Sequence, residues 1–188
     1  MKPERTQLKA RQLANPEQAR ANALQKILDL REAAARLIQE SAPAHFLDAA
    51  FHLCRMRAAI AENLNQLPHA VLILEAQRQL AEHRDFQGLD WFWHPHQTHG
   101  DFETDLMGWR GNDLVAVVEA STSAKAEGTL KPRIAKAVGN LAKVEHPAKR
   151  FFYCYTTSCA EWARGIATSS YPEKAIAVVV LAKEPLPC

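Results

Sequence analysis

The stretch that decides the fold runs from residue 102 to residue 121 and reads Phe-Glu-Thr-Asp-Leu-Met-Gly-Trp-Arg-Gly-Asn-Asp-Leu-Val-Ala-Val-Val-Glu-Ala-Ser. The Gly111-Asn112-Asp113 turn separates two extended segments, which predicts a β-hairpin. The second segment, residues 114–118, is continuously apolar, as is typical of a strand that is buried on both faces of a sheet.

Three acidic residues flank the apolar part of this hairpin. Glu103 and Asp105 share one face of an extended strand, and Glu119 ends the second strand. A buried carboxylate needs a charge partner, a metal ion or a proton, because leaving it unpaired is costly. Pairing across the turn lets Asp105 and Glu119 converge. Two carboxylates suit a hard divalent cation such as Mg²⁺ or Mn²⁺, which can activate a water molecule.

Strands and helices alternate after residue 87. Further strands are predicted at residues 89–93, 151–155 and 175–181, and helices at 132–144 and 159–168. The order is helices, three strands, helix, strand, helix, strand. This order predicts an α/β fold with a mixed sheet flanked by helices.

The first 85 residues contain no glycine and are rich in Ala, Leu, Gln, Glu and Arg. Asn15-Pro16-Glu17 predicts the start of a helix that ends before Pro43, because Asn caps helices and Pro is favoured in the first turn. A second helix is predicted over residues 46–64, and a third opens at Pro68. We therefore expect an all-helical segment over residues 1–65, of which 1–14 are flexible, and an α/β domain over 66–188. The apolar surface of the helical segment predicts a homodimer that forms through it.

Composition excludes several classes of protein. Among 188 residues 47% are hydrophobic and 23% are charged, and the net charge is +2, which excludes a disordered chain. No apolar run approaches the length of a membrane span, and the start lacks the apolar stretch of a secretory signal, so we expect a cytoplasmic protein without membrane contact. The four cysteines include no CxxC pair, which argues against a disulfide scaffold or a zinc ribbon.

The motif Glu-x-Asp-Leu, followed by a hairpin and an apolar strand that ends in Glu, resembles the PD-(D/E)xK nuclease superfamily, whose fold is called restriction-endonuclease-like. The resemblance covers roughly residues 69–188. It implies a restriction-endonuclease-like mixed sheet and a metal-dependent nuclease, an Mg²⁺-dependent or Mn²⁺-dependent hydrolase that cleaves phosphodiester bonds in DNA.

The resemblance also implies roles for individual residues. Asp105 and Glu119 match the metal ligands of the family, and the carbonyl of Ala120 matches a backbone ligand. Many members add an acid from a helix before the sheet, and Glu75 matches that position, with Glu82 as the alternative.

The sequence departs from the family at one position, where Ser121 replaces the lysine that follows the Glu by two residues. A hydroxyl group cannot supply the positive charge that orients the attacking water. Lys125, Lys131 and Lys136 are the lysines that could replace it, and Lys136 and then Lys125 are favoured as catalytic residues.

Basic residues are concentrated near the predicted site. Residues 121–150 contain seven basic residues against two acidic ones. This excess suits the phosphate backbone of a nucleic acid, although a solvated helix face is the alternative interpretation. Lys131, Arg133 and Lys143 are the residues predicted to bind nucleic acid.

Two other functions fit parts of the sequence. Ser121 favours a nuclease-fold protein that has lost catalysis and only binds nucleic acid or a partner protein. His94, His96 and His99 lie close together in sequence and could form a zinc site, although their spacing matches no zinc-enzyme motif.

Overall fold

The computed structural model describes residues 10–39, 46–94, 104–123, 126–145 and 147–181. Its regular elements, in chain order, are β1 (Arg11–Gln12), α1 (Pro16–Gln39), α2 (Phe46–Glu82), β2 (Asp90–Trp93), β3 (Leu106–Arg110), β4 (Asp113–Ser121), α3 (Leu130–Lys143), β5 (Lys149–Cys154), α4 (Thr157–Ser170) and β6 (Ile176–Val180), with 3-10 turns at Arg84–Phe86 and Pro172–Lys174. The predicted α/β class and the predicted order of strands and helices after residue 87 are confirmed.

The six strands form one sheet in the order β1-β2-β3-β4-β5-β6. The pairs from β1 to β4 are antiparallel, and β4, β5 and β6 are parallel to one another. Parallel neighbours require a crossover, which α3 provides between β4 and β5, and α4 between β5 and β6. Strand β4 is central, and Val117 and Val118 are both buried, on opposite faces, as the apolar run predicts.

Helices cover both faces of the sheet. Buried side chains of α3 and α4, such as Ile134 and Ala163, pack in one cluster with Val117 and Phe152 of the sheet. Buried side chains of α1 and α2 pack in a second cluster with Trp91, Leu106 and Val118, which face the other way. Alternate residues of β4 therefore point into two separate cores.

Helix α2 is longer than the sequence predicts. The expectation of one helix over residues 46–64 and another opening at Pro68 is wrong, because a single helix runs from Phe46 to Glu82 with Pro68 inside it. Proline inside a helix removes a hydrogen bond at a cost of about 3 kcal/mol. Complete burial of Leu72 and Ile73 just beyond it offsets this cost. The predicted domain division at residue 65 falls within α2 and stays a prediction.

The N-terminal helix begins as predicted. The side-chain oxygen of Asn15 accepts a hydrogen bond from the backbone of Gln18 at 2.9 Å, which is the expected cap. Ala23 of α1 is buried in the same cluster as Trp91, so α1 belongs to the packing of the sheet. The two-residue strand β1 was not predicted, because Arg11 and Gln12 carry no apolar signal.

Large apolar side chains remain exposed on α1 and α2, among them Leu24, Phe51 and Leu53. They lie on the helices through which the sequence predicts a homodimer, and that dimer stays a prediction. No helix within the described part of the chain is long and apolar enough to cross a membrane.

Candidate functional site

The hairpin of β3 and β4 brings the two predicted carboxylates together. Leu106 pairs with Val118 in the antiparallel register, and continuing that register by one residue sets Asp105 opposite Glu119. The turn is tight because Gly111 adopts a φ of 59°, a left-handed value suited to the first position of a two-residue hairpin loop. The turn that follows Arg110 therefore sets the register that brings these two acids opposite each other.

Asp105 is held by contacts from two other elements. Its Oδ2 atom accepts a hydrogen bond from the backbone nitrogen of Ala120 at 2.7 Å. The same oxygen lies 3.2 Å from the Nε2 atom of His69 on α2. Both contacts fix the carboxylate against the end of β4, which is the place that the motif predicts for a metal ligand.

Glu119 is almost completely buried, with 7% of its surface exposed. Burial raises the pKa of its carboxyl well above the usual value, and the negative charge of Asp105 raises it further. A hydrogen bond from the Nδ2 atom of Asn140 to Oε1, at 3.2 Å, and the charge of Lys136 act in the opposite direction. The two acids therefore interact unfavourably when both are charged, so a cation or a proton between them would stabilise the pair.

Lys136 is the described lysine whose charge acts on Glu119. It is exposed on α3, one helical turn before Asn140. Of the other lysines predicted as replacements, Lys131 lies with its Nζ atom 4.5 Å from the ring centroid of Trp162, and Lys125 lies outside the described residues. Lys136 is therefore the lysine, of those described, whose charge reaches Glu119, and its catalytic role stays a prediction.

Ser121 shares the face of β4 that carries Glu119, as alternation along a strand requires. Its hydroxyl donates a hydrogen bond to the Oγ atom of Ser123 at 3.1 Å. Hydrogen bonding to Cys154, and to a lesser extent to Ser121, lowers the pKa of the Cys159 thiol. The family's lysine position is therefore occupied by a small polar network.

Glu75 is engaged away from this site. Its carboxylate accepts hydrogen bonds from the Nη2 and Nε atoms of Arg78, at 2.6 and 3.0 Å, and these bonds hold its pKa below the usual value. The alternative acid, Glu82, also pairs with Arg78, at 2.6 Å. Among the described residues, no hydrogen bond joins either acid to Asp105. Glu75 instead lines a cavity of about 600 Å³ between α1, α2 and the end of the sheet.

His69 is the side chain that α2 contributes to the site, and sequence reasoning missed it. His69 precedes Glu75 by six residues, so the two side chains lie about 120° apart around the helix and about 9 Å apart along its axis. Burial lowers the pKa of His69, but hydrogen bonding to Asp105 and the charge of Asp105 outweigh that effect, so the pKa is raised. A hydrogen bond to the backbone of Ala120 acts in the same direction. Its position next to Pro68 gave no signal of this contact.

The donor atoms suit a hard divalent cation, since two carboxylates and a backbone carbonyl are oxygen ligands. Within the described ranges, no three or more His, Cys, Asp or Glu side chains already form a group that could hold a metal ion. Asp105 and His69 contact one another directly, with Nε2 and Oδ2 3.2 Å apart.

The zinc alternative and the third acid of the motif depend mainly on residues 95–103, which the structure does not describe. His96, His99 and Glu103 lie outside the described residues, and His94 is buried at the end of β2. The proposed role of that histidine cluster stays a prediction.

The residues predicted to bind nucleic acid lie on one helix. Lys131, Arg133 and Lys143 are all exposed on α3. Arg150, which the sequence count includes in the basic excess, instead directs its guanidinium at backbone carbonyls, among them that of Val144 at 2.7 Å. Lys131, Arg133 and Lys143 therefore remain exposed on α3, whereas the guanidinium of Arg150 is used within the fold.

Comparison of the chain with protein-family models, with curated proteins and with solved structures finds no match.

Proposed function

We propose that the chain is a nuclease of the restriction-endonuclease-like fold that depends on a divalent metal ion and hydrolyses phosphodiester bonds in DNA. The observation that carries the proposal is the pairing of Asp105 with Glu119 at the end of a buried central strand. Burying a carboxylate beside a second one costs free energy, and a bound cation would offset that cost. The mixed sheet and its order of strands and helices are consistent with the resemblance on which the proposal rests.

Three groups of this chain would hold the cation, namely the carboxylates of Asp105 and Glu119 and the carbonyl of Ala120. When bound, Mg²⁺ or Mn²⁺ supplies Lewis-acid stabilisation of charge on the phosphate and lowers the pKa of a bound water. The backbone nitrogen of Ala120 orients Asp105, and Asn140 orients Glu119. Glu75, the helix acid that the resemblance implies, is bonded to Arg78 and is not given a role in the proposed site.

Lys136 takes the role that Ser121 cannot fill. Its charge reaches Glu119, so a phosphate that binds between the acids and α3 would lie near a positive charge. Lys125 stays the alternative. Lys131, Arg133 and Lys143 would bind the phosphate backbone to either side and so position the DNA without reading its sequence.

A second function is favoured by one observation, the hydrogen bonds of Ser121 to Ser123 and Cys159. They fill the family's lysine position with neutral groups. A protein of this kind would bind nucleic acid or a partner protein without cleaving DNA. A cytoplasmic location and a homodimer formed through α1 and α2 are further proposals from the sequence.

The experiment that tests the proposal is cleavage of supercoiled plasmid and of single-stranded DNA in Mg²⁺, in Mn²⁺ and in EDTA. Asp105→Asn and Glu119→Gln keep the side-chain volumes, and Asp113→Asn, in the exposed turn of the same hairpin, is the matched control. We expect metal-dependent cleavage that both site variants lose and the control keeps. DNA binding without cleavage would support the second function, and equal cleavage by all variants would exclude this site.

A further inference from the structure

The side chain of His69 is buried at the proposed site without satisfying both of its nitrogens. Only 4% of the side chain is exposed. Nε2 faces Asp105 at 3.2 Å, whereas Nδ1 has no hydrogen-bond partner among the described residues. A buried polar atom without a partner is unfavourable, because burial removes the hydrogen bonds that it would make to water. The contact of Nε2 with Asp105 is therefore the interaction that ties this buried ring to the site.

The atoms around Nε2 are the same ones that the proposed function assigns to the metal. Nε2 lies 3.2 Å from Oδ2 of Asp105, and that oxygen accepts a hydrogen bond from the backbone nitrogen of Ala120, the residue whose carbonyl the proposed function assigns to the metal. Asp105 in turn lies beside Glu119 across the hairpin. A cation that replaces the proton shared by Nε2 and Oδ2 would meet one nitrogen and several oxygens.

We propose that Nε2 of His69 is a direct ligand of the cation held by Asp105 and Glu119, and that this nitrogen makes the site prefer Mn²⁺ over Mg²⁺. The inference rests on the proposed function, because it concerns the same site. Mg²⁺ binds oxygen ligands and retains its waters, whereas imidazole is a better ligand for transition metals. The preference follows from that difference in donor chemistry.

Pulsed electron paramagnetic resonance of the full chain loaded with Mn²⁺ tests the ligand directly, because a bound imidazole nitrogen couples to the electron spin of the metal. We expect nitrogen coupling in the wild type and its loss in His69→Gln. His52→Gln is the matched control, since it lies on the same helix about 25 Å away along the axis. If the His69 variant fails to fold, a variant with His94, His96 and His99 all replaced by Gln decides the assignment, because nitrogen coupling that this variant keeps comes from outside that cluster and coupling that it loses overturns the role of His69.

Calorimetric titration with Mn²⁺ and with Mg²⁺ tests the preference. Loss of a group that only orients a metal ligand costs about 10- to 100-fold in affinity, so we expect His69→Gln to weaken Mn²⁺ binding at least tenfold. Binding of Mg²⁺ should change less. The variant should therefore lose most of the wild-type discrimination between the two ions.

The outcomes separate this inference from the proposed function. Mn²⁺ that binds without nitrogen coupling, or equal affinity for both ions, overturns the role of His69 and leaves the metal-dependent nuclease in place. No binding of either ion to the wild type overturns both. Nitrogen coupling without DNA cleavage supports the ligand and rejects the nuclease.

Discussion

His69 and Asp105 meet at 3.2 Å although 36 residues separate them in the chain. One belongs to the long helix α2 and the other precedes β3, so the contact joins the helical layer to the hairpin. It lies at the end of β4, where Ala120 donates its backbone hydrogen to the same carboxylate oxygen. The free energy and the protonation of this cluster can therefore be measured through the stability of the whole fold.

Glu119 should make the metal-free protein less stable as the pH rises. Because its folded pKa lies above 4.5, its contribution to stability is complete below about pH 4.5 and is lost as the pH rises through the folded value. Each unit by which the pKa is raised costs about 1.4 kcal/mol at higher pH. In EDTA, Glu119→Gln should therefore be more stable than the wild type at pH 8, by more than at pH 5.

Urea denaturation of both proteins from pH 5 to pH 8 measures this difference. The raised pKa of His69 also makes the stability fall as the pH rises over part of this range. It does so in both proteins, so the difference between their free energies of unfolding reports the titration of Glu119. A constant difference at every pH would show that Glu119 titrates at its ordinary pKa.

Lys136 and Lys143 should affect different steps. Both are exposed on α3, but only Lys136 acts on the pKa of Glu119 in the structure. Lys136→Gln should lower kcat by about 10²-fold, in line with loss of one group that stabilises a developing charge. Lys143→Gln should mainly raise KM and reduce the salt dependence of DNA binding by about one phosphate contact.

A variant at position 121 provides the rescue control for this prediction. Ser121→Lys would restore a positive charge on the strand face that carries Glu119, and it should recover part of the activity lost in Lys136→Gln. No recovery in a folded double variant would argue against a shared role. A fall in kcat with Lys143→Gln equal to that with Lys136→Gln would remove the distinction between the two lysines.

The sequence could predict the part of the site that one hairpin determines. Turn residues and an apolar run set the register of β3 and β4, and the register determines which acids face each other. The interpretation of Asp105 and Glu119 as neighbours therefore needed only local information. Their role as metal ligands stays a prediction, since it depends on the resemblance.

The rest depends on contacts between distant segments. His69 reaches the site because α2 continues through Pro68, and a proline normally predicts a helix boundary. Arg150 looks like a surface cation in the sequence, yet its guanidinium binds carbonyls of α3 and its C-terminal loop. Neither outcome has a local signal. Packing of α2 overrides the helix-breaking propensity of Pro68, and hydrogen bonds to backbone carbonyls distant in the chain use the charge of Arg150.

The Glu75→Gln variant tests whether Glu75, the helix acid that the family resemblance implies, takes part in cleavage. The alternative is that His69 is the residue that α2 contributes to the site. Glu75 is bonded to Arg78 and lines a different cavity, so we expect cleavage to be unchanged. The ion pair is partly exposed, and its loss should cost less than about 1 kcal/mol. Plasmid cleavage and thermal unfolding measure both effects, and a large loss of cleavage would return Glu75 to the site.

Gly108 should tolerate no side chain, because the hairpin packs directly on β2 there. A Cβ atom at this position would lie 2.8 Å from Cδ1 of Leu89 and 2.8 Å from Cζ3 of Trp91, both in buried side chains. Overpacking of this kind costs about 1–3 kcal/mol, so Gly108→Ala should lower the free energy of unfolding by that amount.

Gly165→Ala is the control, and it should change the free energy of unfolding in the opposite direction. Gly165 lies inside α4, where a Cβ atom would meet no described neighbour within 4 Å, and alanine there should stabilise the helix by about 0.5–1 kcal/mol. Chemical denaturation of both variants measures the two shifts, and a stable Gly108→Ala protein would mean that β2 and β3 pack less closely than the structure has them.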